Sequence, residues 1–348
     1  MIHAMNVATH TLDEAGLARY LERVLPGFRG PVKAEKFTGG QSNPTYLLTA
    51  ASGHYVLRRK PPGELLKSAH AVDREYRVMK ALRESDVPVA SVYHLCEDDS
   101  IIGSMFFIME YKPGRIFWDP ALPELDNPTR GTVYDEINRV LAALHSVDID
   151  AAGLTDYGRP GNYYERQYAR WSKQYRASET ETIAAMDRLI DWLPTRMPKD
   201  DGRVALTHGD YRLDNLIFDP REPRVIAVVD WELSTLGHPF ADLAYQCMQW
   251  RMPHDSRVLR GLGGLDRESL GIPSEAQYVE SYCRRMGLDD IGDWTFYLAF
   301  SFFRFAAIVQ GVLKRALDGN ASSPQAIEVG NLARPLAEMA VELIENES

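Results

Sequence analysis

Residues 207–232 read THGDYRLDNLIFDPREPRVIAVVDWE, and two apolar runs inside this stretch decide how the chain folds there. Leu216-Ile217-Phe218 follows Asn215, a turn-rich segment runs from Asp219 to Pro223, and Val225 to Val229 ends at Asp230. Two short apolar runs around a proline-containing turn predict a β-hairpin. A hairpin returns its far end to its near end, which sets Asp230 beside Asn215 and within reach of Asp210. Two carboxylates and a carboxamide gathered there offer oxygen ligands to a hard Mg²⁺ ion carrying phosphate. The stretch therefore predicts a phosphoryl-transfer centre.

Composition narrows the setting. A chain of 348 residues, 45% of them hydrophobic, can bury a large core, and its length suggests two packed lobes. A formal charge of −10 argues against a general nucleic-acid binder, which carries a basic surface. Cys96, Cys247 and Cys283 are isolated and odd in number, with neither metal-ligand nor disulfide spacing, which suits a reducing cytosol. MIHAMNVATH at the start has no cationic region and no apolar run, so no secretory signal and a cytoplasmic location are expected. Trp294 to Leu313 approaches the length of a membrane span. Arg304 lies at its centre, where insertion scales charge roughly 2.5–3.5 kcal/mol. A buried helix is the better expectation, with no membrane partner. Arg304 then needs a carboxylate partner or a cleft to face.

Upstream, Thr11 and Glu14 have capping-box spacing for a helix to about Leu25, stopped by Pro26-Gly27. Val32–Phe37 and Thr45–Thr49 read as strands around Gly39-Gly40-Gln41-Ser42-Asn43. Glycines there let backbone N–H groups approach an anion, with Ser42 and Asn43 adding donors; a plain hairpin turn is the alternative. Tyr55–Arg58 reads as a third strand ending before Pro61-Pro62-Gly63. Ala71–Arg83 has helical patterning, with Val72, Tyr76, Met79 and Leu82 on one stripe. Phe106–Tyr111 reads as a buried strand running into Lys112-Pro113-Gly114. Residues 159–176 hold five basic residues and one acid, Glu165. At helical spacing Tyr164, Tyr168, Trp171 and Tyr175 share one face, opposite Arg166, Arg170 and Lys173. Either that basic face is simply solvated or its cations meet an anionic substrate.

The spacing His208-Gly209-Asp210 with Asn215 resembles the catalytic loop of protein kinases, with Asp230-Trp231-Glu232 where those carry D-F-G. The glycine after the histidine and the D-W-E close are similar to the aminoglycoside phosphotransferase and choline kinase superfamily. The longer strings HGDYRLDNLIF and DWELSTLGHPFADLAY resemble one branch more closely. That branch is the kinase-like domain at the N-terminus of some long acyl-CoA dehydrogenase proteins. GGQSN (39–43), LRRKPPG (57–63), GRIFWDP (114–120) and RPGNYYERQYARWSKQY (159–175) fit the same branch, so the resemblance covers most of the chain.

The resemblance implies an α+β, protein-kinase-like fold. A small β-rich lobe with one main helix would span residues 1–108, and a larger, mainly helical lobe 109–348. It implies ATP and Mg²⁺ as cofactors and a small-molecule hydroxyl acceptor. Asp210 would act as base, and Asn215 and Asp230 as metal ligands. Arg212 would stand near the γ-phosphate, and Glu232 is a candidate for a second metal. Arg58 stands where kinases carry a phosphate-holding lysine, with Arg59 and Lys60 as adjacent candidates. Glu75 is its implied partner, and Asp73 the competitor. Glu110 and Tyr111 would offer backbone groups to adenine, while His208 and Asp242 would be structural. The acyl-CoA dehydrogenase association implies a hydroxyacyl-CoA or related hydroxy acid as acceptor, with Arg166 and Arg170 meeting its anionic part. Two alternatives stay open: an aminoglycoside-type antibiotic phosphotransferase, for which Asp255, Asp289, Asp290 and Asp293 supply acids, and a nucleotide-binding pseudokinase. Oligomeric state does not follow.

Overall fold

The computed structural model describes residues 12–37, 43–61, 71–256, 258–319 and 325–346. They divide into two compact units, one running to Lys80 and including Ala90–Lys112, the other formed by Ala81–Val89 and the chain from Pro113 onward. The division falls at Lys112/Pro113 rather than 108/109, because Glu110 still pairs with Tyr55 across the first unit's sheet. Residues 81–89 join the second unit, where the Pro88 carbonyl accepts the Val228 N–H at 2.8 Å.

The first unit contains α1 (Glu14–Val24), β1 (Val32–Lys36), β2 (Thr45–Ala50), β3 (Gly53–Arg59), α2 (Val72–Ala81), β4 (Val92–Cys96) and β5 (Phe106–Glu110). Its five strands form one antiparallel sheet in the order β1-β2-β3-β5-β4. Helix α1 lays Leu17, Ala18 and Leu21 against Leu48, Leu57, Phe106 and Ile108 of the sheet, all buried. The cap of α1 differs from the expected one. Asp13 accepts the Gly16 N–H at 2.9 Å, whereas Thr11 lies outside the described residues. Glu14 instead accepts the Ala34 N–H from β1, so the acid expected to close the box ties helix to sheet. Residues 38–42, including Gly39, Gly40, Gln41 and Ser42, also lie outside the described residues.

The second unit is mainly helical: α3 (Asn127–His145), α4 (Tyr163–Ser178), α5 (Ala184–Arg196), β6 (Ala205–Thr207), β7 (Leu216–Phe218), β8 (Val225–Val228), β9 (Thr235–Gly237), α6 (Phe240–Cys247), α7 (Glu275–Met286), α8 (Trp294–Leu317), α9 (Ala326–Gly330) and α10 (Ala333–Asn346). The architecture is thus α+β, an antiparallel-sheet unit and a helical one. Helix α8 is long and apolar enough to cross a membrane, yet 83% of its most apolar window is buried inside the protein. Its aromatic residues explain why: Tyr164 of α4 meets Phe296, Tyr297 and Phe300 at centroid distances of 5.1 to 5.4 Å. Such edge and tilted pairs add to the burial of large apolar rings.

The hairpin forms as the sequence predicts. Leu216 pairs with Val228 and Ile217 with Ala227, with an irregularity before Phe218. Its turn closes on Asp219, whose carboxylate accepts the N–H groups of Arg221 and Glu222, an Asx-type turn. A second two-stranded sheet, β6 with β9, flanks this hairpin in sequence and brings Thr207 opposite Thr235.

Candidate active site

One buried carboxylate fixes the segment that begins at His208. Asp242 lies in the first turn of α6 and is 1% exposed. Its Oδ2 accepts the His208 N–H at 2.6 Å, and its Oδ1 accepts the Gly209 N–H at 2.8 Å. His145 of α3 stands 3.3 Å from Oδ2 and contacts Tyr282 Oη through its other nitrogen at 2.7 Å. Burial pushes the Asp242 carboxyl pKa up, but its bond to His145 and the His208 groups outweigh this and hold it below the ordinary value.

His208 is fully buried and shares its ring between backbone groups. Nε2 lies 3.0 Å from the Val229 carbonyl and Nδ1 accepts the Asp210 N–H at 3.3 Å, which describes a neutral Nε2–H imidazole. The ring packs on Trp231 at 4.8 Å. Gly209 has φ +81°, and a Cβ there would meet the Leu233 carbonyl oxygen at 2.7 Å. Only glycine fits both the left-handed backbone and the close approach.

Asp210 is held from two sides. Asn215 Nδ2 donates to its backbone carbonyl at 2.9 Å and to Oδ2 at 3.0 Å. Tyr245 Oη donates to Oδ1 at 2.7 Å. Burial and the Asp210 charge push the Tyr245 phenol well above its usual range, so it stays a donor. Tyr245 is absent from the sequence expectations. All eight residues of α6 are buried, so no amphipathic stripe marks it; its spacing of three from Asp242 is the one available signal, since both then share a helix face.

With Nδ2 engaged, Oδ1 is the Asn215 side-chain atom that could hold a metal. The Val229 N–H bonds the Asn215 carbonyl at 3.0 Å, which brings the next residue, Asp230, alongside. Asp230 has φ 67° and ψ 59°, a left-handed conformation that costs a non-glycine residue about 1–3 kcal/mol and clusters at functional sites. One amide oxygen and one carboxylate suit Mg²⁺, which keeps waters and takes phosphate oxygens for its other positions. Among the described residues no three His, Cys, Asp or Glu side chains gather as a metal site, so a cage built wholly of such side chains is not provided.

Arg212 is paired rather than poised alone. Its Nε lies 3.5 Å from Asp210 Oδ1 and its Nη2 3.0 Å from Asp214 Oδ2. Burial works against its charge, but Asp210 and Asp214 outweigh that and raise its pKa. The cation expected near the γ-phosphate is thus shared by two carboxylates. Asp214 is itself raised above its ordinary value, by burial.

In the first unit Arg58 and Glu75 meet. Arg58 Nε donates to Glu75 Oε1 at 3.0 Å and lies 2.9 Å from Oε2. Asp73 lies 3.9 Å from Lys60 instead, and Arg59 Nε bonds Ser104. Asn43 departs from its expected role: it is 1% exposed, and its amide donates to Glu75 Oε1 at 2.8 Å. Its side chain therefore braces the ion pair instead of offering a donor to phosphate. At the end of β5 the Glu110 N–H is bonded to the Ser91 carbonyl at 2.8 Å, so of the backbone groups at Glu110 this donor is engaged within the first unit.

Helix α4 buries Tyr164, Trp171 and Tyr175 and exposes Arg170 and Lys173. Arg166 donates to the Arg159 and Pro160 carbonyls, which ties down the preceding loop and leaves Arg170 as the more available of the two expected substrate cations. Arg304, expected to find a carboxylate or a cleft, has no carboxylate partner among the described residues. Its Nη2 donates to the Gly209 carbonyl at 2.7 Å, and its guanidinium lies over Trp171 and Tyr245, 5.7 and 5.5 Å from their centroids.

Residues 33–276 match the model of a family described as the phosphotransferase enzyme family. The chain is 50% identical to mouse acyl-CoA dehydrogenase family member 10 over 333 residues, covering 95% of this chain and 31% of that protein. It is 42% identical to human acyl-CoA dehydrogenase family member 11 over 339 residues, covering 96% of this chain and 43% of that protein. The chain therefore spans less than half of these relatives. A crystal structure from Ralstonia eutropha JMP134, assigned to the aminoglycoside phosphotransferases, is 52% identical and superposes with a TM-score of 0.88 over 97% of this chain and 99% of its own. Aminoglycoside phosphotransferase APH(4)-Ia shares the fold at 15% identity, with a TM-score of 0.63 over 94% of this chain and 98% of its own.

Proposed function

Because this chain belongs to the phosphotransferase enzyme family, we propose that it is an ATP- and Mg²⁺-dependent small-molecule kinase with a hydroxyl acceptor. The observation that carries the reading is Asp210, a carboxylate held by Asn215 and Tyr245, with the Val229 N–H bonding the Asn215 carbonyl just before Asp230. Asp210 accepts the proton of the acceptor hydroxyl or orients that hydroxyl for in-line attack. Asn215 Oδ1 and Asp230 would hold Mg²⁺, which when bound neutralises phosphate charge. Asp242 and His208 keep the loop backbone in place, and Arg212 balances the carboxylates around it. In the first unit Arg58, braced by Glu75 and Asn43, is the cation for the nucleotide phosphates, and the Gly39–Ser42 segment supplies backbone donors. The backbone of Glu110 and Tyr111 takes the adenine edge.

For the acceptor we favour a hydroxyacyl-CoA or related hydroxy acid. Two observations support this: 50% and 42% of the aligned residues are identical to acyl-CoA dehydrogenase family members, and Arg304, bonded to the carbonyl before Asp210, has no carboxylate partner among the described residues. An antibiotic acceptor is the second reading, supported by the likeness to the Ralstonia protein. An aminoglycoside's ammonium groups would want carboxylates there. Transfer of ³²P from [γ-³²P]ATP to a panel of hydroxyacyl-CoAs, hydroxy acids, sugars, choline and aminoglycosides tests the proposal. Labelling of hydroxyacyl compounds is expected. Labelling of aminoglycosides alone would reverse the ranking, and nucleotide binding with no transfer to any acceptor would leave a pseudokinase.

A further inference from the structure

Arg304 is a charge placed where a charge is hard to keep. It sits in the middle of α8, 8% exposed, on the most apolar helix of the chain. A buried guanidinium is ordinarily compensated by a carboxylate, because taking the ion out of water costs several kcal/mol. Among the described residues no carboxylate lies within 4.0 Å of it. One neutral carbonyl, that of Gly209, takes one of its five N–H groups. Two aromatic faces stand beside it, Trp171 and Tyr245, and such faces attract a cation without consuming its donors.

Position makes this arrangement more than structural. Gly209 directly precedes Asp210, and Tyr245 touches both: its hydroxyl donates to Asp210 Oδ1 while its ring faces the guanidinium. The base and the uncompensated cation are therefore separated by about one tyrosine ring. A molecule that presents its hydroxyl to Asp210 would meet Arg304 with a group only a few bonds farther along.

We propose that Arg304 is a substrate-binding residue that reads a carboxyl-type oxygen of the acceptor, either the carboxylate of a free hydroxy acid or the thioester carbonyl of its CoA ester. The inference rests on the kinase reading and names what the acceptor must carry near its hydroxyl. A flat carboxyl group suits a guanidinium whose two visible walls are rings, since the planar fork pairs with a planar acceptor in its own plane. Arg170, also over Trp171 at 5.0 Å, is exposed and adds positive potential without the same enclosure.

The test compares three acceptors of one medium chain length: the hydroxy acid, its CoA thioester and the corresponding diol, which lacks a carboxyl oxygen. Wild-type protein is compared with Arg304→Gln, which keeps an N–H for the Gly209 carbonyl but loses the charge, and with Arg304→Lys. The expected result is a wild-type preference for one or both carboxyl compounds over the diol. Arg304→Gln should reduce that preference by about tenfold or more, the scale of a charge-assisted bond, chiefly through KM, and Arg304→Lys should keep part of it. The arm that responds identifies carboxylate or thioester. Equal losses on all three acceptors would overturn the proposal and make Arg304 a holder of Gly209 alone. A wild-type enzyme indifferent to the carboxyl group would overturn it too. If wild-type protein phosphorylates none of them, the kinase reading fails separately, and calorimetric binding of the corresponding deoxy acid and deoxyacyl-CoA decides the inference. Binding weakened about tenfold in Arg304→Gln upholds it; unchanged or undetectable binding sinks it. Should Arg304→Gln not fold, Arg304→Lys carries the same comparison, and an unaltered preference there together with no wild-type binding of the deoxy compounds refutes it.

Discussion

Replacing Asp242 by Asn isolates the contribution of a single buried charge to the loop that carries Asp210. The carboxylate accepts two backbone N–H groups, from His208 and Gly209, and stands beside His145. An asparagine can accept one of those N–H groups through Oδ1, but its NH₂ then faces the other. One buried donor left unpaired costs about 1–3 kcal/mol, and the surviving bond loses its charge assistance, about 1 kcal/mol more. Relief from burying an ion works the other way, so the net loss is at most about 2–4 kcal/mol. For a folded unit of this size each kcal/mol lowers Tm by about 2–4 °C, which gives a drop of at most roughly 5–15 °C at neutral pH. The sign with pH is fixed by the depressed pKa of Asp242. Its stabilisation is complete above the unfolded carboxylate pKa of about 3.9 and is lost as pH falls through the lower folded value. The gap between wild type and variant should therefore hold at pH 7 and narrow in acid. Thermal unfolding followed by tryptophan fluorescence at several pH values measures it, and phosphoryl transfer should fall about a hundredfold as the loop shifts. A variant that melts within about one degree of wild type at pH 7 and retains its activity would refute the reasoning.

Gly209→Ala should destabilise and inactivate together. Its Cβ would meet the Leu233 carbonyl in a left-handed backbone, a strain of about 1–3 kcal/mol before any clash is relaxed, and a normal Tm would contradict this. Glu75→Gln should raise KM for ATP about tenfold and leave KM for the acceptor unchanged, since it removes the carboxylate from Arg58 at the scale of one charge-assisted bond. Initial-rate kinetics in both substrates distinguish that split from a general loss.

Much of the fold is legible because its local chemistry is repetitive. The hairpin shows as two apolar runs around a turn-rich segment, while Arg58 and Glu75 show as a pair only through the resemblance to kinases. What stays hidden depends on atoms that no side-chain pattern records. Arg304 bonds a backbone carbonyl 95 positions away in sequence, where the residues alone suggest a carboxylate or a cleft. Asn43 looks like a loop donor until its burial against Glu75 is seen. Arg212 looks free until the fold places Asp214 and Asp210 beside it. Tyr245 is invisible because a helix buried on every side has no apolar face to stand out from. The expected capping box fails by a short distance along the chain, with Asp13 taking the cap and Glu14 reaching β1.

The central claim is that Asp210 acts on an acceptor hydroxyl during transfer from ATP. Its most direct measurement is ³²P transfer from [γ-³²P]ATP to a hydroxyacyl acceptor by wild-type protein and by Asp210→Asn, each checked for unchanged nucleotide binding. The account predicts labelled product from wild type and a rate lower by about 10²–10⁴-fold in the variant, the range of a positioned general base. Equal rates from the two proteins, or no labelled product from wild type with any hydroxyl compound, would contradict it.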